Sequence, residues 1–247
     1  MQSNHPHSVP WKRTIIALLL FGAAFGYLEA AVVSYLRALH EPAVQSLYPD
    51  RAPGDLFPIL TLDQIRAVAP VQMKTLAIEL GREVATIAML AAMALALARN
   101  AGQWAAAFVI AFGIWDITFY GFLKVLLDWP ASVFTWDILF LVPVPWVGPV
   151  LAPMLVSAVM IGAGSWHLRR DAAGSSVRIA ALEWSGIIVG ALVIVVSFAM
   201  DYRNILAGGT PHAFHWPVFG TGLLLGTASY VKAAAARHGV AALEAAA

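Results

Sequence analysis

Apolar residues gather into six long stretches, near Thr14–Leu36, Val71–Ala98, Gln103–Leu127, Val147–Leu168, Trp184–Met200 and Trp216–Ala234. A helix needs about 20 mostly apolar residues, rising about 1.5 Å each, to cross roughly 30 Å of hydrocarbon. The pattern therefore predicts an all-α fold, a polytopic transmembrane helical bundle of about six spans. Two intervening stretches do not fit as spans. His40–Pro70 is Pro-rich and mixed in charge, which makes residues 38–70 a polar outer loop with a short helix at Leu62–Val68. Asp128–Pro149 is apolar but interrupted by Pro130, Pro143, Pro145 and Pro149, and proline cannot continue a helix. That segment, 128–149, is expected to lie in the interface or re-enter the membrane, as a short helix Asp137–Val142 with Thr135 as its N-cap.

The chain so divides into an N-terminal segment 1–13, a six-span domain 14–234 and an Ala-rich tail 235–247. After Lys232 the last helix is expected to run out into a disordered stub. Lys12 and Arg13 precede the first apolar stretch as they would in a signal peptide. That stretch is too long for a signal core, holds Glu29 and lacks a small-residue exit, so it is a retained span.

Composition agrees with the pattern. Hydrophobic residues make up 60% of the chain and charged residues 12%, about half the charge of a soluble domain. Too few charges remain to cover a water-facing surface, so lipid is the solvent for much of it. Without cysteine there are no disulfides, thiolate metal sites, Cys-ligated clusters or cysteine nucleophiles. A net charge of +1, with no basic patch interleaved with aromatics, gives no reason to expect nucleic acid.

Lys and Arg set the orientation. With the N-terminus inside, eight basic residues (Lys12, Arg13, Arg99, Arg169, Arg170, Arg178, Lys232, Arg237) fall on the cytoplasmic side and five (Arg37, Arg51, Arg66, Lys74, Arg203) outside. The positive-inside rule then puts both termini in the cytoplasm. All of the nine tryptophans except Trp115 fall near a water–lipid boundary, where amphipathic indoles concentrate. No internal repeat suggests an inverted-repeat transporter.

The polar residues inside the spans carry the chemistry. Gln72, Thr75, Glu79, Arg82, Glu83 and Thr86 recur at three- and four-residue spacing, so they form one stripe on one helix face. Asp116, Tyr120 and Lys124 do the same in the third span. Glu29 lies three residues beyond Gly26, on the small-xxx-small packing face that Gly22 and Gly26 define. Counted from the helix ends, Glu29, Glu79, Glu83 and Asp116 reach similar depth in the outer half, where His212 and His215 open the sixth span. Four carboxylates against Arg82 and Lys124 leave a deficit of two charges. An ionised residue at mid-span costs at least about 2.5–3.5 kcal/mol, so raised carboxylate pKa values, a bound cation, a water cavity or a partner's basic group should cancel it.

Plainer alternatives stand beside this. Glu79, Arg82 and Glu83 could pair locally as helix glue, and Lys124 could snorkel to the interface. His212 and His215 could be interfacial. Gly222 and Gly226, with Ser229, suit close helix packing, and Gly208–Gly209 with Pro211 suits a turn. As a metal site the acids with imidazole would favour iron, manganese, zinc or calcium over copper(I), although the Glu-x-x-His pairs of carboxylate bundles are absent. No Ser-His-Asp arrangement, H-E-x-x-H or phosphate loop occurs, so triad, zincin and NTP-driven chemistry have no support.

Four strings, Tyr27–Arg37 (YLEAAVVSYLR), Glu79–Thr86 (ELGREVAT), Trp115–Pro130 (WDITFYGFLKVLLDWP) and Trp136–Pro153 (WDILFLVPVPWVGPVLAP), together resemble an uncharacterised family of bacterial six-span inner-membrane proteins. The resemblance implies a bacterial inner membrane and a single six-span unit, and it transfers no activity or cofactor. The leading expectation is a carboxylate cluster near the periplasmic face that binds a cation or protons, in an accessory subunit of a larger membrane complex. Its candidate residues are Glu29, Glu79, Glu83, Asp116, His212 and His215, with Arg82 and Lys124 as charge partners and Tyr120 as a hydrogen-bonding group. The first alternative is a membrane metalloenzyme holding a divalent or transition metal on those acids and histidines. The second is a structural or assembly subunit. The expected partners are the lipid bilayer and either other membrane subunits or further copies of the chain.

Overall fold

The computed structural model describes residues 11–52, 54–68, 70–175 and 177–244, with side chains save those of 68, 70–73 and 236–244. It is mostly helical. The elements are α1 (Trp11–Leu47), α2 (Leu62–Val68), α3 (Pro70–Leu97), α4 (Ala101–Leu127), β1 (Trp136–Phe140), β2 (Trp146–Pro149), α5 (Leu151–Ala172), α6 (Ala181–Ala199), α7 (Tyr202–Leu206) and α8 (Trp216–Glu244). Among the described residues five helices are long and apolar enough to cross a membrane: α1, α3, α4, α5, and α6 continued through α7. In α8, Thr221, Thr227, Ser229, Tyr230 and Lys232 dilute the apolar run.

α4 is the central helix. Asn100 caps its start by accepting from the Gln103 N–H at 2.9 Å, which satisfies one orphan donor of the first turn. α1 packs along one side of it and α5 along another. The α1–α4 approach depends on the glycine face that the sequence marks. A Cβ on Gly22 would lie 2.7 Å from Ile114 Cγ2, and one on Gly26 would lie 2.9 Å from the Trp115 carbonyl oxygen. Leu18, Leu90, Ile110 and Ile114 fill the core around this contact. α8 lies along α6, their backbones meeting where Gly190 opposes Gly222. Tyr230 ties α8 to α5 by donating to the Ala163 carbonyl at 3.0 Å.

Three expectations change. α1 does not stop near Leu36 but continues through Pro42 to Leu47, 37 residues in all and about 55 Å long. Tertiary contacts hold the extension: Val44 is buried, Glu41 pairs with Arg51 at 2.6 Å, and Tyr48, just past the helix end, bonds Gln64 at 3.1 Å. At the other end of the chain the expected stub after Lys232 is helix as far as Glu244, in keeping with the high helix propensity of an alanine run.

The third change is the Pro-broken segment, which is a β-hairpin and not a short helix. β1 and β2 pair antiparallel, Trp136 opposite Pro149, Asp137 opposite Gly148 and Ile138 opposite Val147, with a bulge before the Phe140–Trp146 pair. Trp136, Ile138 and Phe140 are good strand formers. Pro143 and Pro145 sit in the turn and Pro149 ends the second strand, positions that spare the ladder a missing N–H. Thr135 caps no helix; its hydroxyl accepts from the Ser132 N–H at 3.0 Å and closes the turn before β1. The hairpin hands over to α5 through Val150 N–H to Thr135 O at 3.0 Å and Leu151 N–H to Val133 O at 2.7 Å. Phe57, Val147 and Ile205 form a small core that joins the long loop, the hairpin and α7 into a cap over this end of the bundle.

Candidate functional site: an acid-lined chamber under the hairpin

A cavity of about 620 Å³ lies beneath the cap, walled by α1, α3, α4, α5, α6 and the hairpin. Glu29 from α1, Glu79, Arg82 and Glu83 from α3, and Asp116 and Tyr120 from α4 all line it. The i, i+3 and i+4 spacing on α3 and the i, i+4 spacing on α4 put these groups on inward faces. Thr86 shares the stripe and is buried, while the side chain of Gln72 lies outside those described.

Arg82 is the hub of one end. It pairs with Glu29 across the α1–α3 gap, and its Nε donates to Glu79 Oε1 at 2.7 Å within α3. Glu83 is held differently. Both of its oxygens accept from the Leu141 backbone N–H, each at 3.0 Å, so the carboxylate satisfies a donor at the end of β1. Asp116 accepts from the Ser157 hydroxyl at 2.8 Å, which links α4 to α5. The Tyr120 hydroxyl donates to Asp137 Oδ2 at 2.9 Å. Tyr120–Asp137 and Glu83–Leu141 latch the hairpin to the bundle at two points.

Sequence reasoning missed several charged members of the lining, among them Asp137 and Arg37. Asp137 is buried, and burial pushes its carboxyl up to about 6, opposed by the nearby Arg37 charge and by hydrogen bonds from Tyr120 and the Ile138 backbone. The Arg37 guanidinium carbon lies 3.9 Å from the Trp129 ring centroid, a cation–π contact. An acid flanked by Trp136 and Ile138 in an apolar run was a signal of the same kind that marks Asp116. Arg37 offered none, since it sits at the end of an apparent span.

The structure separates the other candidates from this group. Lys124 does not join Asp116 and Tyr120 in the chamber; it pairs with Asp128 at 2.7 Å and donates to the Asp128 and Pro130 carbonyls at 3.2 Å. His212 is exposed and is engaged by Asp201, which accepts from its N–H at 2.9 Å and meets its Nδ1 at 2.8 Å. His215 is exposed, and neither histidine lines the chamber. Among the described residues no three His, Asp or Glu side chains are grouped to hold a metal ion.

No family model, curated protein or solved structure matches this chain. Seven carboxylates (Glu29, Glu41, Asp55, Glu79, Glu83, Asp116 and Asp137) line the chamber, with three guanidiniums (Arg37, Arg51 and Arg82) beside them. The rest of the wall is largely aliphatic and aromatic.

Proposed function

We propose that this chain is a six-span bacterial inner-membrane protein, both termini cytoplasmic, whose outer-half chamber binds a cation in competition with protons. α8 supplies the sixth span by lying along α6. The observation that carries the reading is the convergence of carboxylates from α1, α3, α4 and the hairpin on one cavity in excess of its guanidiniums. In a low-dielectric site that excess is relieved by protonation or by a bound positive charge. Each of these acids then exchanges a proton for a share of the cation's field.

The test is thermal unfolding of the detergent-purified protein between pH 5 and pH 8, with a panel of inorganic and organic cation chlorides. A saturable rise in Tm with at least one cation, larger at high pH and lost in Glu79→Gln/Glu83→Gln, is expected. A Tm indifferent to every cation and to pH sinks the proposal.

One observation favours a second reading. Arg82 bridges Glu29 and Glu79, as it would if the charges only fasten α3 to α1 within an assembly subunit. The double variant would then lower Tm alike with and without cations, and other membrane subunits or further copies of the chain would co-purify with the wild type.

A further inference from the structure

The chamber is amphipathic by side. Its charges come from α1, the long loop after it, α3, α4 and the hairpin, whereas α6 contributes only Ala191, Ile194, Val195 and Phe198. Phe112, Trp115, Phe119 and Phe140 add aromatic surface next to the acids. An inorganic cation stripped of water needs several oxygen ligands at once, and no three acidic or imidazole donors are grouped among the described residues. A weakly hydrated organic cation has the opposite needs. It gains from burial of its apolar surface and from aromatic faces, and it balances carboxylates through space.

Two further observations point to a ligand of that kind. Trp115 lines the chamber, and indole offers the strongest cation–π face of the aromatic side chains. α3 packs on α4 but makes at most marginal contact with α6, although both helices line the chamber. The volume of about 620 Å³ falls within the roughly 300–1,000 Å³ of small-molecule sites.

We infer that the chamber takes an amphiphilic organic cation from the membrane through the gap between α3 and α6, its charge set toward Glu79 and Asp116 and its apolar part against α6. This rests on the cation-binding reading above and narrows its ligand class.

The test uses two hydrophobic ions of nearly equal size and opposite charge, tetraphenylphosphonium and tetraphenylborate. Binding is measured by equilibrium dialysis on the full chain in phosphatidylcholine nanodiscs, with empty discs subtracted. Saturable tetraphenylphosphonium binding is expected, with no saturable tetraphenylborate binding. Glu79→Gln and Asp116→Asn should each weaken it tenfold or more. Val195→Trp, which fills the α6 side and leaves every carboxylate in place, should abolish it. Saturable sodium, magnesium or manganese binding that tetraphenylphosphonium does not displace would overturn this inference and leave the broader cation reading standing. Equal binding of both tetraphenyl ions would overturn the charge selection. Binding of no cation at all would remove both proposals together.

Discussion

The Tyr120 hydroxyl donates to the Asp137 carboxylate at 2.9 Å, and both groups are buried. Together with Glu83 on the Leu141 N–H, this bond fastens the hairpin to the bundle. Tyr120→Phe removes the donor and leaves a buried acceptor short of a partner, a loss of about 1–3 kcal/mol. Stability of Tyr120→Phe, Asp137→Asn and the double variant, read by SDS titration, should show a coupling energy of about 0.5–3 kcal/mol.

Arg82 stands between the buried Glu29 and the half-buried Glu79, its own side chain 23% exposed. Arg82→Ala leaves Glu29 and Glu79 without their cation, and breaking a buried pair in this way costs about 3–5 kcal/mol. The neutral triple variant Glu29→Gln/Glu79→Gln/Arg82→Met should recover most of that loss, because no uncompensated charge remains. Tm measurements on the two proteins, side by side, check the order.

Helix contact can be tested apart from charge. A Cβ on Gly26 meets the Phe119 N and Trp115 O backbone atoms at 2.9 Å, whereas one on Gly81 meets nothing within 4 Å. Gly26→Ala should therefore force α1 off α4 and cost about 1–3 kcal/mol, the usual range for overpacking. Gly81→Ala should be neutral or slightly stabilising, since alanine is the better helix former. The difference between the two in thermal melting is the readout.

Asp137 gives a pH signature. Its carboxyl moves from an ordinary value of 3.8 to about 6 in the fold. Between those values the folded state keeps a proton that the unfolded state has lost. The stability from this group is thus fully present below about pH 4, falls as pH rises toward 6, and is level above. Asp116, Tyr120 and Arg37 face the same carboxyl, so the slope is read as wild type minus Asp137→Asn in Tm from pH 4 to 8. A difference that shrinks as pH falls would contradict the assignment.

Much of this architecture is legible in the chain because a bilayer permits few ways to bury backbone. Long apolar runs place the spans, and the spacing of Glu79, Arg82 and Glu83 places a polar face. The glycine pair before Glu29 places a packing contact. The hairpin is not legible in that way. Trp136–Phe140 suits a strand or a short buried helix equally by apolar content. Only contacts made at long range, Glu83 on Leu141 and Tyr120 on Asp137, decide between them. The same holds for the end of α1, where Val44, Arg51 and Gln64 reward a continuation that Pro42 disfavours. His212 looked like a ligand because its partner, Asp201, lies 11 residues away at the far end of the preceding helix.

The central claim is that the chamber's carboxylates themselves receive the cation. Infrared difference spectroscopy of the purified protein, with and without a saturating cation identified by the Tm panel, reads carboxyl groups directly. Binding should shift protonated carboxyl bands toward carboxylate in the wild type, and the change should shrink in Glu79→Gln and Asp116→Asn. A cation that binds while the carboxyl region stays flat would contradict the account.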